Sequence, residues 1–241
     1  MATLKVMSYN VQWFTGINSQ LNMQKTIMNK YGAHIIGLQE LSTNGKINKT
    51  GRSTLADYPY HYLSEHKNFL GFASKYPLKN VKSHDFKNQD PEDMTKYGET
   101  RAYMTATLEI GGKVITLINT HLCYLTPAVK YQQMKELFNR AEKSLYTVVT
   151  GDFNCFDGES DRMYKQFVDA GYHLANCNPR ITKTWTDKTN PHSLSSFTYP
   201  TDNIIVSRNI TIKQVRFDKT KLEYPTGDMI DHIPIIVRLH V

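Results

Sequence analysis

The sequence predicts an α+β fold in which two packed β-sheets are flanked by helices. Three observations predict it. Runs with strand patterning outnumber helical ones, the helical runs occur singly between strands, and no linker, low-complexity tract or internal repeat divides the 241 residues. That arrangement favours two packed sheets over a doubly wound parallel sheet. Residues 1–241 therefore read as one domain.

The strand runs are "LKVMSYNV", "HIIGLQE", "YHYLS", "LGFASKY", "RAYMTATLEI", "KVITLINTHL", "YTVVTGDF", "TDNIIVS", "ITIKQVRF" and "HIPIIVRLHV". Each is rich in β-branched or aromatic residues and is bounded by turn formers. Gly111-Gly112, between two such runs, reads as a tight hairpin. A helix is expected over 20–30, where Leu21, Met23, Ile27 and Met28 fall largely on one side. A clearer one is expected over 127–143: Thr126 can cap it, Pro127 suits its first position, and Met134, Leu137, Phe138 and Ala141 recur at helical spacing. A shorter helix is expected from Ser160 to Ala170.

The formal charge of +7 and a pI near 9.1 suit an anionic partner, although the lysines are scattered rather than massed in a tail. The three cysteines, Cys123, Cys155 and Cys177, include no CxxC pair; an odd, sparse set speaks against a disulfide framework and for a reducing compartment. The N-terminus lacks the basic-then-apolar pattern of a signal peptide. No apolar run approaches the roughly 20 residues a bilayer requires. The expectation is a soluble, cytoplasmic protein with no membrane span, monomeric and without a stable protein partner.

Polar and acidic residues recur at strand ends. Asn10 closes the first strand run and Glu40 the second; His121 ends a hydrophobic run; Asp152 and Asn154 follow another; Asp202 opens "TDNIIVS"; and Asp231-His232 open the last run. Singly, each has an ordinary explanation as a turn residue, a solvated strand end or a satisfied interior histidine. As a set they are informative, because strand ends of a sandwich converge on one rim, where loops carry function. Glu, Asp and Asn supply hard oxygen ligands that suit Mg²⁺ or Mn²⁺ rather than zinc, and the two histidines add phosphate donors and acid–base groups.

The fragments "MSYNVQWF", "IIGLQE", "GFASKYPL", "NTHL", "TGDFN", "TDNIIVS" and "DHIPI" occur in an order that resembles the endonuclease/exonuclease/phosphatase superfamily, the deoxyribonuclease I-like proteins, over essentially the whole chain. The resemblance implies a four-layer α/β sandwich with two mainly antiparallel sheets. It implies a metal site at Asn10 and Glu40, with Glu40 a direct ligand and Asp231 a further metal-site or water-site carboxylate. His121 resembles the histidine that hydrogen-bonds the scissile phosphate. Asp152 and Asn154 match a GDxN pair, in which the Asp orients or deprotonates the attacking water and the Asn contacts phosphate or metal. Asp202 resembles the carboxylate that orients the final histidine, His232. Two departures stand out: Ile230 occupies the place of a serine usual before Asp-His, and Asn68 is the best candidate for a further polar group before "GFASKYP". Arg101 sits where many members carry an arginine and could contact phosphate.

Members of the superfamily cleave nucleic acids, inositol phosphates, sphingomyelin and other phosphoesters, so the choice falls to the loops 42–57, 84–100 and 178–200. The first carries Lys46, Lys49 and Arg52, a plausible clamp on backbone phosphate; the last interleaves Arg180, Lys183 and Lys188 with Trp185 and Phe197, a pattern that can stack bases. DNA is the preferred substrate. The branch that cuts abasic sites is disfavoured, because Glu40 is followed by Leu-Ser rather than Thr-Lys. The alternatives are a phosphatase or a phospholipid- or sphingomyelin-type phosphodiesterase, and, in another class, a non-catalytic nucleic-acid-binding module.

Overall fold

The alternation seen in the strand runs sorts their side chains into two opposite environments. In the computed structural model, which describes residues 1–11, 18–41, 55–64, 69–97, 100–156, 158–176, 201–218 and 232–241, the chain runs β1 (Thr3–Asn10), α1 (Asn18–Lys30), β2 (Ile35–Gln39), β3 (Tyr60–Leu63), β4 (Gly71–Ser74), β5 (Lys79–Asp85), α2 (Pro91–Tyr97), β6 (Ala102–Ile110), β7 (Lys113–His121), α3 (Pro127–Ala141), β8 (Thr147–Asp152), α4 (Ser160–Asp169), β9 (His173–Leu174), β10 (Asp202–Val206), β11 (Thr211–Phe217) and β12 (Ile235–His240). One sheet has the order β11-β12-β1-β2-β4-β3 and the other β5-β6-β7-β8-β10-β9. Among the described residues only β1/β2 and β7/β8 pair in parallel, so each sheet is antiparallel around one central parallel pair.

Leu4 and Val6 point from β1 into the layer between the sheets, where they meet Leu117, Val148, Ile204 and Val237. Their neighbours Met7 and Tyr9 point the other way and are covered by Ile27 and Met28 of α1. On the second sheet, Ile118, Val149 and Ile205 face outward and pack under α3 and α4 through Met134, Leu137, Met163 and Phe167. The result is helix, sheet, sheet, helix, the expected four layers, with a period of two deciding which core each residue enters.

Differences from the sequence expectations are local. Strands β5 and β9 and helix α2 were not anticipated; β5 alternates without large apolar residues, and α2 is a single short segment started by Asp90, whose Oδ1 accepts the Glu92 amide at 2.9 Å. The hairpin at Gly111-Gly112 forms, with φ of 57° and 74° that suit glycine. Pro127 opens α3 as expected, but the Thr126 side chain makes no capping hydrogen bond. The helices end at Ala141 and Asp169, short of the expected 143 and 170.

The two sheets are joined by a buried polar bridge. Asn119 Nδ2 on β7 donates across the gap to the carbonyls of Leu38 (2.8 Å) and Gly71 (3.0 Å), while its Oδ1 accepts Gln39 Nε2 (2.6 Å) and Thr150 Oγ1 (3.0 Å). Gly37 makes room for it: a Cβ there would lie 2.0 Å from Thr150 Oγ1 and 2.7 Å from Asn119 Oδ1. Replacing Asn119 by leucine would strand the Gln39 amide and two carbonyls, at about 1–3 kcal/mol for each unsatisfied group. Asn119→Leu is therefore expected to lose about 3 kcal/mol or more of stability, read as a lower midpoint in urea denaturation. A wild-type midpoint would mean that the bridge contributes nothing.

Candidate metal centre and active site

The inward-facing rows of the central strands change character along their length. At one end they are aliphatic (Leu4, Val6, Leu117, Val148, Ile204), in the middle they are neutral and polar (Ser8, Asn119, Thr150), and at the other end they are Asn10, His121, Asp152 and Asp202. Strand pairing aligns those last positions: His121 is opposite Asp152 in the parallel β7/β8 pair, and Asp202 is opposite Asp152 in the antiparallel β10/β8 pair. Asn10 ends β1 beside Gln39, the last residue of β2, and Glu40 follows directly. His232 enters from just before β12.

Asp152 is the centre of the group and is 1% exposed. Its Oδ2 accepts Asn10 Nδ2 at 3.0 Å and lies 3.6 Å from both His121 Nε2 and His232 Nε2. Its Oδ1 accepts the Asn154 amide at 2.9 Å. Asn10 Nδ2 also donates to Glu40 Oε1 at 2.9 Å, so one carboxamide joins the two carboxylates. Glu40 Oε1 is 4.0 Å from His121 Nε2. On the far side His232 Nδ1 meets Asp202 Oδ2 at 2.9 Å, and that oxygen also accepts Thr201 Oγ1 at 2.9 Å.

Two members adopt backbone conformations that cost energy. Glu40 (φ 54°) and Asn154 (φ 47°) lie in the left-handed region that favours glycine. Asn tolerates this well because its short side chain bonds locally. Asn154 does so, with Nδ2 donating to the Leu122 carbonyl at 2.8 Å. Strand alternation predicts that Asp152 and Asn154 lie on one side, but β8 ends at Asp152 and the two are instead joined by a turn closed on the Asp152 carboxylate. Phe153 between them is buried against Tyr164, as its apolar character predicts.

Burial shapes the protonation of the group. Burial and the nearby Asp202 raise Asp152 from an ordinary 3.8 to about 7, against the opposing pull of His232, the Asn154 amide and Asn10. Burial also holds His121 well below 6.5, aided by the positive charges of Arg101 and His232. His121 Nδ1 is buried with no hydrogen-bond partner among the described residues, whereas Nε2 faces two carboxylates. Arg101 is buried rather than displayed on the surface; its backbone is held at both ends by Gln89, at 2.9 and 2.7 Å.

The donor set fits a small divalent cation. Ligand atoms of Glu40, His121 and Asp152 lie within 4.8 Å of one another, as do those of Asp152, Asp202 and His232. Carboxylate oxygens dominate, and a carboxylate made reluctant to ionise by burial is one a cation would favour. Asn10 presents its amide nitrogen to the carboxylates, so it can join such a site only by turning Oδ1 inward. Asp231, Asn68, Lys46, Arg52 and Trp185 lie outside the described residues. Residues the sequence reading passed over are Thr201 behind Asp202, Asn119 and Gln39 beneath the site, and Lys130, which bonds the Asn154 carbonyl at 2.6 Å. Lys130 was findable, since it stands on the apolar stripe of α3 with Met134, Leu137 and Ala141.

Cys123 and Cys155 are buried, and no described helix is long and apolar enough to cross a membrane.

Comparison with solved structures returns the same architecture over the whole chain. TDP2 of D. rerio, solved with a single-strand DNA product, superposes with a TM-score of 0.73 at 16% identity, covering 100% of both chains. The mannosyl-6-phosphatase Bt3783 of Bacteroides thetaiotaomicron VPI-5482 gives 0.69 at 16% identity, covering 99% of this chain and 100% of the other. The beta toxin of Staphylococcus aureus gives 0.70 at 19% identity, covering 98% and 99%. At these identities the likeness establishes the deoxyribonuclease I-like sandwich. No significant match exists among curated proteins. The Endonuclease/Exonuclease/phosphatase family matches residues 7–222, and the chain belongs to that family, whose members are hydrolases of phosphoester bonds that use divalent metals.

Proposed function

We propose that this protein is a divalent-metal-dependent phosphodiester hydrolase acting on DNA by in-line attack of water. The observation that carries the reading is the convergence of Asn10, Glu40, His121, Asp202 and His232 around the buried carboxylate of Asp152. A phosphodiester is anionic and repels a nucleophile, so hydrolysis needs positive charge and proton donors where the oxyanion develops. Mg²⁺ or Mn²⁺, when bound, would supply Lewis-acid neutralisation of that charge; Glu40 and Asp152 would hold it, with Asn10 and Asp231 as further candidates.

The remaining residues have separable tasks. Asp202 Oδ2 would accept the Nδ1 proton of His232, which fixes the tautomer and turns Nε2 toward Asp152 and the phosphate. His121 stays neutral near pH 7 and, facing carboxylates through Nε2, carries its proton there, ready to donate to a phosphate oxygen. Asp152 stands between the two imidazoles, where it can orient a water and accept its proton. Asn154 spends its amide on Leu122, so its contribution is to hold the Asp152 carboxylate through its backbone N–H.

The charge of +7 supports a polyanionic substrate, and the fold's likeness to a TDP2 structure that holds a DNA product supports DNA. A phosphomonoesterase is the second reading, favoured by the equally extensive likeness to a mannosyl-6-phosphatase. A panel of plasmid DNA, abasic and plain oligonucleotides, RNA, inositol phosphate, sphingomyelin and mannose 6-phosphate, each with Mg²⁺ or Mn²⁺, separates them. Nicking of plasmid supports the first reading; turnover of the monoester alone replaces it with the second. Binding without turnover throughout leaves only a binding module.

Chelation by EDTA is expected to abolish turnover and added Mg²⁺ or Mn²⁺ to restore it. Undiminished activity in chelator with metal-free protein would sink the mechanism. Asp152→Asn and His232→Ala are each expected to lower kcat by orders of magnitude while circular dichroism shows an intact fold.

A pH test exploits the burial of Asp152. Its folded pKa of about 7 lies above the unfolded 3.8, so the folded state binds the extra proton between those values. Stability therefore falls as pH climbs through that window and stays depressed above it. Asp152→Asn lacks this penalty. The Tm of metal-free variant minus that of metal-free wild type should accordingly grow between about pH 5 and pH 8; a gap that is flat with pH would contradict the raised pKa.

A further inference from the structure

Helix α3 turns two polar side chains, Lys130 and Gln133, toward the interior, and both are fully buried. Lys130 Nζ donates to the Asn154 carbonyl (2.6 Å), pairs with Glu159 Oε2 (3.0 Å) and lies 4.6 Å from the centre of the Phe156 ring. Glu159 Oε2 in turn accepts the Phe156 amide at 2.9 Å. Gln133 Oε1 accepts the Cys123 amide and its Nε2 donates to the Asn88 carbonyl, both at 2.8 Å. One face of one helix thus grips the segment after Asp152 and the segment after His121.

Burying an ammonium is expensive, and an apolar side chain at this position of the stripe would pack at lower cost. What the lysine provides is directional. Asn154 stands in the left-handed region, its N–H closes on Asp152 Oδ1, and its Nδ2 is bonded to Leu122, the residue between His121 and Cys123. Lys130 fixes the backbone carbonyl of Asn154, and Gln133 fixes the chain just beyond Leu122. With its N–H, its carbonyl and its Nδ2 all held, Asn154 keeps the Asp152 carboxylate aimed between the two histidines.

We propose that Lys130, with Glu159 as its counter-ion, is a positioning residue that acts through Asn154 to orient the Asp152 carboxylate, and that Gln133 supports the same loop pair from the His121 side. The inference rests on the phosphoesterase reading for its kinetic consequence. A plain structural staple between α3 and α4 is the competing account, and the two differ in how stability and turnover separate.

The test compares Lys130→Met, the charge-balanced double variant Lys130→Met/Glu159→Gln, and wild type. Turnover is measured on bis(4-nitrophenyl) phosphate and 4-nitrophenyl phosphate with Mn²⁺. Lys130→Met is expected to lose about 10- to 100-fold in kcat with little change in KM, the usual scale for a group behind a reacting residue. The double variant removes the unpaired buried charge, so its Tm should recover. Its kcat should stay low, because no donor reaches the Asn154 carbonyl. Recovery of kcat together with Tm, or a wild-type kcat in Lys130→Met, overturns the proposal in favour of the staple. A second readout does not need turnover: the Asn154 side-chain amide protons, followed by NMR, should exchange about tenfold faster in both variants than in wild type. Unchanged exchange overturns the positioning role. Wild type inactive on both esters, with accelerated exchange in the variants, overturns the phosphoesterase reading and leaves the positioning role supported.

Discussion

The side chain of Asn119 holds this structure in register. It bridges the two sheets through polar atoms, and its four hydrogen-bond partners come from β2, β4 and β8. Hydrophobic contact between the sheets is non-directional and would tolerate a slide of one across the other. A carboxamide with two donated and two accepted hydrogen bonds would not, since a slide leaves buried groups unpaired. Gly37 permits the close approach that this requires. Gln39 immediately precedes Glu40, Asn119 is two residues before His121, and Thr150 is two before Asp152. Locking those three positions therefore sets the three strand ends against one another.

Above that lock the structure concentrates charge. Asp152 is surrounded by the Asp202 carboxylate and two imidazoles, of which His121 also feels the charge of Arg101, all withdrawn from water. Such a group is unfavourable by itself, and it persists because the sheets beneath it are rigidly packed. The left-handed Glu40 and Asn154 add strain of about 1–3 kcal/mol each at the same place. Mutual repulsion of the carboxylates there is the part that a cation would offset.

The sequence was most legible where a period or a residue type has one physical meaning. The aliphatic alternation of "LKVMSYNV" and "KVITLINTHL" marks which residues face the sheet interface, and the hairpin at Gly111-Gly112 follows from its glycines. It was less legible where a polar residue has several uses. Thr126 precedes a helix yet does not cap it; Asn154 leaves the pleat that would have aligned it with Asp152; and Lys130 looks like a surface lysine until α3 is seen to bury it. Strand β5 escaped notice because an edge strand with few large apolar residues carries little periodic signal.

By itself, then, the order of residues determined every strand but β5 and β9, the inward and outward faces of those strands, and the placing of Asn10, Glu40, His121, Asp152 and Asp202 at strand ends, because these follow from local alternation and turn chemistry. Only the tertiary structure decided that those ends meet at a single carboxylate, that His232 is backed by Asp202, and that α3 reaches in to hold Asn154. Those outcomes depend on strand order, sheet-to-sheet register and helix docking, which join residues as far apart as Asn10 and Asp152. No local pattern encodes such distances; the packing of the two sheets does.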